Sequence, residues 1–173
     1  MIPAARVQAA IELLDMIIPA ARGKGAPADR IIADYFRVRR YAGSKDRRAV
    51  RDLVYQAIRL CGPVPASGRA AMLAVATQDP AIAALFDGSP HGPAARGPGE
   101  EAAKTGLAPK WLAAALRGSG LGGPEIAAML GRAPLDIRVN ALKADRATIA
   151  LPEAGEPLAA AQGLRFASGT QVE

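Results

Sequence analysis

Apolar positions over the first 86 residues recur at intervals of three and four, the period of helices buried on one side. Val7, Ile11, Leu14 and Ile18 step by four, three and four and predict a helix over residues 4–18, ended by Pro19. Residues 19–26, with two glycines, read as a loop. Pro27 suits a first helical position, and Ile31, Ile32, Tyr35, Phe36 and Arg39 predict a second helix ending near Tyr41. Gly43 and Ser44 break and recap the chain. Ser44 is the expected N-cap of a third helix whose apolar stripe is Val50, Leu53, Val54, Ala57, Ile58 and Cys61. After a turn at 62–65, Ser67 is expected to cap a fourth helix through Thr77, and a short helical turn covers 80–86.

The pattern then changes twice. Residues 87–106 are rich in Gly and Pro and aperiodic, which predicts a linker. Helical spacing returns at 109–117 and 124–130, with Trp111 expected to anchor its helix in a core. From about 134, Leu135, Ile137, Val139 and Ala141 alternate with Asp136, Arg138 and Asn140, as in a half-buried strand. A short helix is expected at 145–149 and another strand start at 164–166. The final Gln171-Val172-Glu173 carries no cap or closing polar run, so the chain is expected to be a fragment of a longer one.

Half of the 173 residues are hydrophobic, with Ala supplying many, which predicts thin and closely packed helices. The net charge of +6 is not spread evenly. Residues 22–59 carry eleven Arg or Lys against Asp29, Asp34, Asp46 and Asp52, leaving the rest of the chain about neutral. Seven of these, Arg37, Arg39, Arg40, Lys45, Arg47, Arg48 and Arg51, fall within fifteen residues and face Asp46 alone. Tyr35, Phe36, Tyr41 and Tyr55 are interleaved with them. A solvated helix face ordinarily mixes signs, with Arg stems covering apolar surface. A same-sign Arg surface on a helical frame is the footprint of phosphate binding, and Arg also stacks on bases. Arg37, Arg40, Arg47, Arg48 and Arg51, with Arg39 beside them, are therefore candidate phosphate contacts. Lys45 is a candidate RNA contact at the loop, and Tyr41 a candidate stacking ring.

Catalytic chemistry finds little to stand on. The single cysteine, Cys61, excludes an internal disulfide and a Cys-rich zinc site, and it reads as a small buried hydrophobe. His91 is the only histidine and lies in the linker, so neither a metal site nor a His-dependent triad is expected. Glu100 and Glu101 read as solvated neighbours. Residues 118–123 match G-x-G-x-x-G literally, but a helix, not a strand, precedes them, so a helix–helix connection is expected. The N-terminus lacks a signal-peptide layout, and no stretch approaches the ~18 uncharged apolar residues of a membrane span, so a cytoplasmic protein is expected.

The helical segments 4–18 and 28–41, followed by Ala42-Gly43-Ser44-Lys45-Asp46-Arg47 and Val50-Arg51-Asp52-Leu53-Val54-Tyr55, resemble the NusB-like RNA-binding domain. The form they resemble stands at the N-terminus of bacterial RNA cytosine-C5 methyltransferases of the NOL1/NOP2/Sun family. Leu107-Ala108-Pro109-Lys110-Trp111-Leu112 is similar to the segment ahead of that family's small α/β subdomain, and Ala133-Pro134-Leu135-Asp136-Ile137-Arg138-Val139-Asn140 to its R-x-N strand. The resemblance implies an all-α NusB-like helical bundle over 1–86, a linker over 87–106, and a helical connector with a short partial α/β subdomain over 107–173. It implies small-subunit ribosomal RNA as partner and S-adenosylmethionine as cofactor of the full-length parent. The family's D-x-C-A-A-P-G-G-K-T-like cofactor loop and its two catalytic cysteines have no counterpart in this chain, and Cys61 stands in no such motif. This chain itself is accordingly expected to hold no catalytic residue, cofactor or metal. Two other functions fit the same features. One is a helical protein–protein module whose basic face docks an acidic partner. The other is a free-standing antitermination-type RNA-binding factor, which would have no use for the strand-bearing extension at 107–173. An enzyme built on Cys61 would lack both a base and a cofactor site.

Overall fold

Pro3 opens α1 (Pro3–Arg22), where its missing N–H falls on a position without a helical partner. Val7, Ala10, Ile11, Leu14 and Ile18 are buried along one side and Leu13 and Ile17 along the next, so α1 is covered around more than half its circumference. The computed structural model describes residues 1–172 of the chain. Three helices pack directly on α1: α2 (Ala28–Arg37), α3 (Ser44–Leu60) and α4 (Gly68–Gln78). A short α5 (Pro80–Ala83) follows α4, and α6 (Lys110–Gly118) belongs to the same unit, which spans Met1–Ile126. A helix α7 (Gly123–Leu130) leads into a second unit, Ala127–Glu173. Among the described residues the fold is thus mainly helical with a small antiparallel sheet.

Pro19 does not end α1, which continues to Arg22. Removing one amide donor from a helix interior costs about 3 kcal/mol. Here Ile17 and Ile18 are buried just before it and Ala20 packs on the core just after it, so tertiary contact holds the last turn. Helix α2 stops earlier than the spacing predicts, at Arg37. Its buried stripe of Ile31, Ile32, Tyr35 and Phe36 would next place Arg39 in the core, and a guanidinium cannot continue an apolar stripe. The chain turns instead, with Ala42 N–H donating to the Arg39 carbonyl at 3.1 Å and the Ala42 methyl buried. Ser44 is the first residue of α3 and not its cap; Gly43 takes the cap position, and its N–H donates to Asp46 Oδ2 at 3.3 Å. Ser67 caps α4 as expected, accepting from the Ala70 N–H at 3.1 Å.

Helices α1 and α4 meet backbone to backbone at Gly68. A Cβ built there would lie 2.2 Å from the Ile11 carbonyl oxygen and 2.9 Å from the Asp15 nitrogen. The approach is sealed by the Gly68 N–H, which donates to Asp15 Oδ1 at 2.6 Å. Ala10 on α1, with Ala71 and Ala74 on α4, is fully buried, so small side chains set the spacing on both helices.

Residues 87–106, expected as a linker, have no regular secondary structure but lie along the helical unit. Ala103 N–H donates to the Ala70 carbonyl at 2.8 Å, and Gly106 N–H to the Leu60 carbonyl at 3.1 Å. Arg69 on α4 pairs with both carboxylate oxygens of Glu100 and donates to the Ala94 and Ala95 carbonyls at 3.1 and 3.2 Å. The division between units falls beyond this strap, at Ile126. Glu100, read as solvated, is one of its anchors. Trp111 is 73% exposed and not a core anchor; α6 buries Ala113 instead, with Leu112 and Leu116 partly covered.

In the second unit, β1 (Leu135–Arg138) and β3 (Gly163–Phe166) pair antiparallel with Leu135 opposite Phe166 and Arg138 opposite Gly163. A two-residue β2 (Glu156–Pro157) pairs on the other side of β3, giving the order β1-β3-β2. Val139, Leu164 and Phe166 form its small core, and the Phe166 ring lies where a Cβ on residue 155 would stand, which Gly155 permits. Asp136 and Arg165, directly opposite across the strands, form a two-bond pair at 2.7 Å each. The strand stops short of Ala141, because Asn140 turns the chain by accepting from the Leu142 N–H at 3.0 Å. The helix expected at 145–149 is a single turn, capped by Asp145 accepting from the Ala147 N–H at 2.7 Å.

Two outcomes follow from these contacts. Gly68→Ala forces a methyl against the α1 backbone and should destabilise the protein by about 3 kcal/mol, at the upper end of overpacking effects, in urea unfolding followed by circular dichroism. Glu100 is held down to about 2, by the Arg69 hydrogen bonds first and the Gly97 N–H second, against an ordinary 4.5. A carboxyl depressed on folding stabilises above its unfolded value and loses that contribution as pH falls through its folded one. Protection of the Ala103 and Gly106 amides against hydrogen exchange should therefore fall between pH 4.5 and 2, and Glu100→Gln should remove that dependence.

Candidate nucleic-acid interface

Helix α3 buries Val50, Val54 and Ala57, spaced by four and three, against α1 and α4. The same periodicity sends Lys45, Arg48, Arg51 and Arg59 outward, and all four are exposed. Lys45, Arg48 and Arg51 stand three residues apart, so each cation sits roughly 5–6 Å from the next at Cβ. Like charges at such spacing destabilise a helix by about 0.2–0.5 kcal/mol per pair. Asp52 is the one acidic residue sharing this face.

The structure divides the basic cluster in two. Arg39 and Arg47 are half-buried and built into the frame. Arg39 lies over the Tyr35 ring with its guanidinium carbon 3.5 Å from the centroid, donates to the Tyr35 carbonyl at 3.3 Å and approaches Glu12 Oε2 at 3.5 Å. Tyr35 in turn donates its hydroxyl to Glu12 Oε2 at 2.7 Å and meets Phe36 edge to face at 5.2 Å. Burial, with Glu12 as its hydrogen-bond partner, pushes the Tyr35 hydroxyl well above its ordinary value, so it stays a donor. Arg47 donates to the Ala42 carbonyl at 2.8 Å and covers the Phe36 ring. Arg37 is exposed but shares Asp34 with Arg30. By contrast Arg40, Lys45, Arg48 and Arg51 are exposed and engage no acidic partner within the described residues. Tyr41, beside Arg40, is 72% exposed. Within the arginine set read from sequence, Arg39 and Arg47 are thus tied to backbone carbonyls and aromatic rings, whereas Arg40, Lys45, Arg48 and Arg51 are not.

Asp46, the acidic residue that opposes the run in sequence, is taken off the face. Its carboxylate accepts from the N-terminal ammonium at 3.1 Å, from Arg6 Nε at 2.9 Å and from the Gly43 N–H. The ammonium bond, with Arg6 and Gly43 behind it, holds the Asp46 carboxyl below its ordinary range. This arrangement keeps an anion where the N-terminus of α3 favours one and leaves the exposed side cationic. Arg6 and Glu12 are the contributors the sequence reading missed; their only signal is a charged residue on the flank of an otherwise apolar helix.

Cys61 is 7% exposed at the end of the α3 stripe, and burial pushes its thiol up, as suits a packing residue. Residues 118–123 connect α6 to α7 with a helix and no strand before them, so the segment lacks the strand–turn–helix setting of a dinucleotide fingerprint. Among the described residues no group of three His, Cys, Asp or Glu gathers to hold a metal, and no helix is long and apolar enough to cross a membrane.

The division makes opposite demands on neighbouring arginines. Arg47→Ala should destabilise by about 1–2 kcal/mol through the lost carbonyl bond and ring cover, whereas Arg48→Ala should stay within about 0.5 kcal/mol, both by urea unfolding. No family model, curated protein or solved structure matches this chain.

Proposed function

We propose that this chain is the RNA-holding region of a small-subunit ribosomal RNA cytosine-C5 methyltransferase of the NOL1/NOP2/Sun type, its helical unit a NusB-like bundle. The observation that carries the reading is the row Lys45, Arg48 and Arg51 on α3, with Arg40 in the turn before it, exposed and without an acidic partner while Asp46 is turned inward. A helix that keeps three like charges side by side, with Asp52 alone among acidic residues on that face, suits a polyanion better than water. Supporting it is the order of the segments that resemble that family's over nearly the whole chain. Methyl transfer and S-adenosylmethionine belong in this reading to a catalytic domain outside these 173 residues, for which the basic row positions the RNA.

Four phosphates neutralised by this row give log affinity against log salt a slope of about −3. Fluorescence anisotropy of the chain with a small-subunit ribosomal RNA hairpin and a shuffled control, over a salt series, should show that slope and tighter binding of the ribosomal hairpin. Arg40→Glu, Arg48→Glu and Arg51→Glu together should weaken binding at least about 100-fold with helicity unchanged by circular dichroism. A steep slope without preference leaves a general RNA clamp. No binding at low salt overturns the RNA reading and transfers the face to an acidic protein partner.

A further inference from the structure

The first unit carries an open pocket of about 570 Å³ whose floor is α1 and whose lining includes Tyr41, the neighbour of Arg40 in sequence. Ala5 and Ala9 recur on one side of that helix and leave room, while Gln8 and Glu12 supply the polar groups above them. Tyr41 and His91 line it from outside α1, and Tyr41 is the exposed ring. Met1 lines the same pocket and binds Asp46 of the first turn of α3 through its ammonium, which ties the pocket's edge to the N-terminal end of α3.

Glu12 is fixed but not used up. Its Oε2 accepts from Tyr35 and faces Arg39, which keeps it an anion in one position; its Oε1 has only a long contact, 3.4 Å, from Gln8 Nε2. Its side chain remains 43% exposed. A carboxylate has about four acceptor sites and no donor, so the ligand edge it suits is one that brings donors only. An aromatic wall beside it suits a flat ring, since base–aromatic stacking is tolerant of sequence and hydrogen bonding is not.

We infer that this pocket takes one unstacked guanine of the bound RNA, its ring against Tyr41 and its N1–H and N2–H groups donating to the Glu12 carboxylate. The inference rests on the RNA reading above and adds a base-reading site to it. Guanine alone among the four bases presents two adjacent donors on its Watson–Crick edge. Adenine and cytosine offer one amino group beside a ring acceptor, and uracil offers one N–H between two carbonyls that a carboxylate repels. The phosphates on either side of the flipped base run to Arg40 and Lys45, so the basic row supplies affinity and Glu12 supplies choice.

The test uses the full chain and short fluorescein-labelled oligouridines carrying, at one central position, uridine, guanosine, inosine or adenosine. One guanosine should tighten binding about ten-fold over uridine, and inosine, which lacks the N2 amino group, should lose most of that gain. Glu12→Gln should bring guanosine and inosine together, and Tyr41→Ala, at an exposed position whose loss leaves the core intact, should weaken the guanosine oligomer most. Equal binding of guanosine and inosine by the unaltered chain, with oligouridine still bound and still salt-dependent, overturns the guanine site and leaves the basic face standing. A preference that survives Glu12→Gln places base reading elsewhere and likewise overturns it. Failure to bind any of the four at low salt overturns the site together with the RNA reading.

Discussion

The close approach of α1 and α4 at Gly68 is the constraint on which the helical unit depends. With no Cβ at that position, the two backbones come close enough for the Gly68 amide to reach Asp15 Oδ1 at 2.6 Å. The core around the crossing is filled for that spacing: Ala10, Ala71 and Ala74 occupy the narrow places, and Leu14, Met72 and Val75 the wider ones. Native interiors are packed densely enough that a small outward shift of one helix forfeits contact along its whole length. The strap over 87–106 hangs from α4 through Arg69 and the Ala70 carbonyl, so its position is inherited from the same crossing.

The basic face rests on that frame through anions that point inward. Arg6 on α1 reaches Asp46 on α3, and Glu12 on α1 reaches Tyr35 on α2 and Arg39 just past its end. Each carboxylate neutralises a cation that has a structural task, Asp46 largely buried and Glu12 still 43% exposed. A rigid base matters for what remains, because long side chains lose conformational freedom on contact and a mobile helix would add its own ordering cost. The edge-to-face pair Tyr35–Phe36, covered by Arg39 and Arg47, supplies that rigidity where the chain leaves α2 and enters α3.

Much of this was legible in the sequence and some was not. The helical spacing located α1, α3 and α4 well, since their buried positions repeat without interruption, and the period-two alternation located β1. The ends were misplaced where a tertiary contact outweighed a local signal, as at Pro19, or where one residue held a different job from its neighbours, as at Arg39. The two-residue β2 carries no period to read, and its Pro157 argues against a strand. Residues 87–106 looked like a linker because Gly and Pro dominate them, yet their backbone groups find carbonyl and guanidinium partners that no composition reveals. Trp111 failed as a core marker because the small Ala113, and not the largest side chain nearby, faces inward on α6.

The basic cluster shows why counting charge identifies a surface but not its working residues. Seven cations in fifteen residues look alike in a sequence, and what separates them is whether a backbone carbonyl or an aromatic ring lies within reach. Ala42 and Tyr35 provide those acceptors for Arg47 and Arg39, and the chain geometry provides none for Arg48 or Arg51. The residues that satisfy their own donors raise stability and present less charge; those that do not lower helix stability and leave donors open. A row of open cations binds any phosphate with little regard to sequence, so discrimination has to come from fixed groups beside it that are not cationic. Glu12, immobilised by Tyr35 and Arg39 and still half open, is placed to be such a group, and one of the two residues that hold it, Arg39, comes from the same run of cations as the open row.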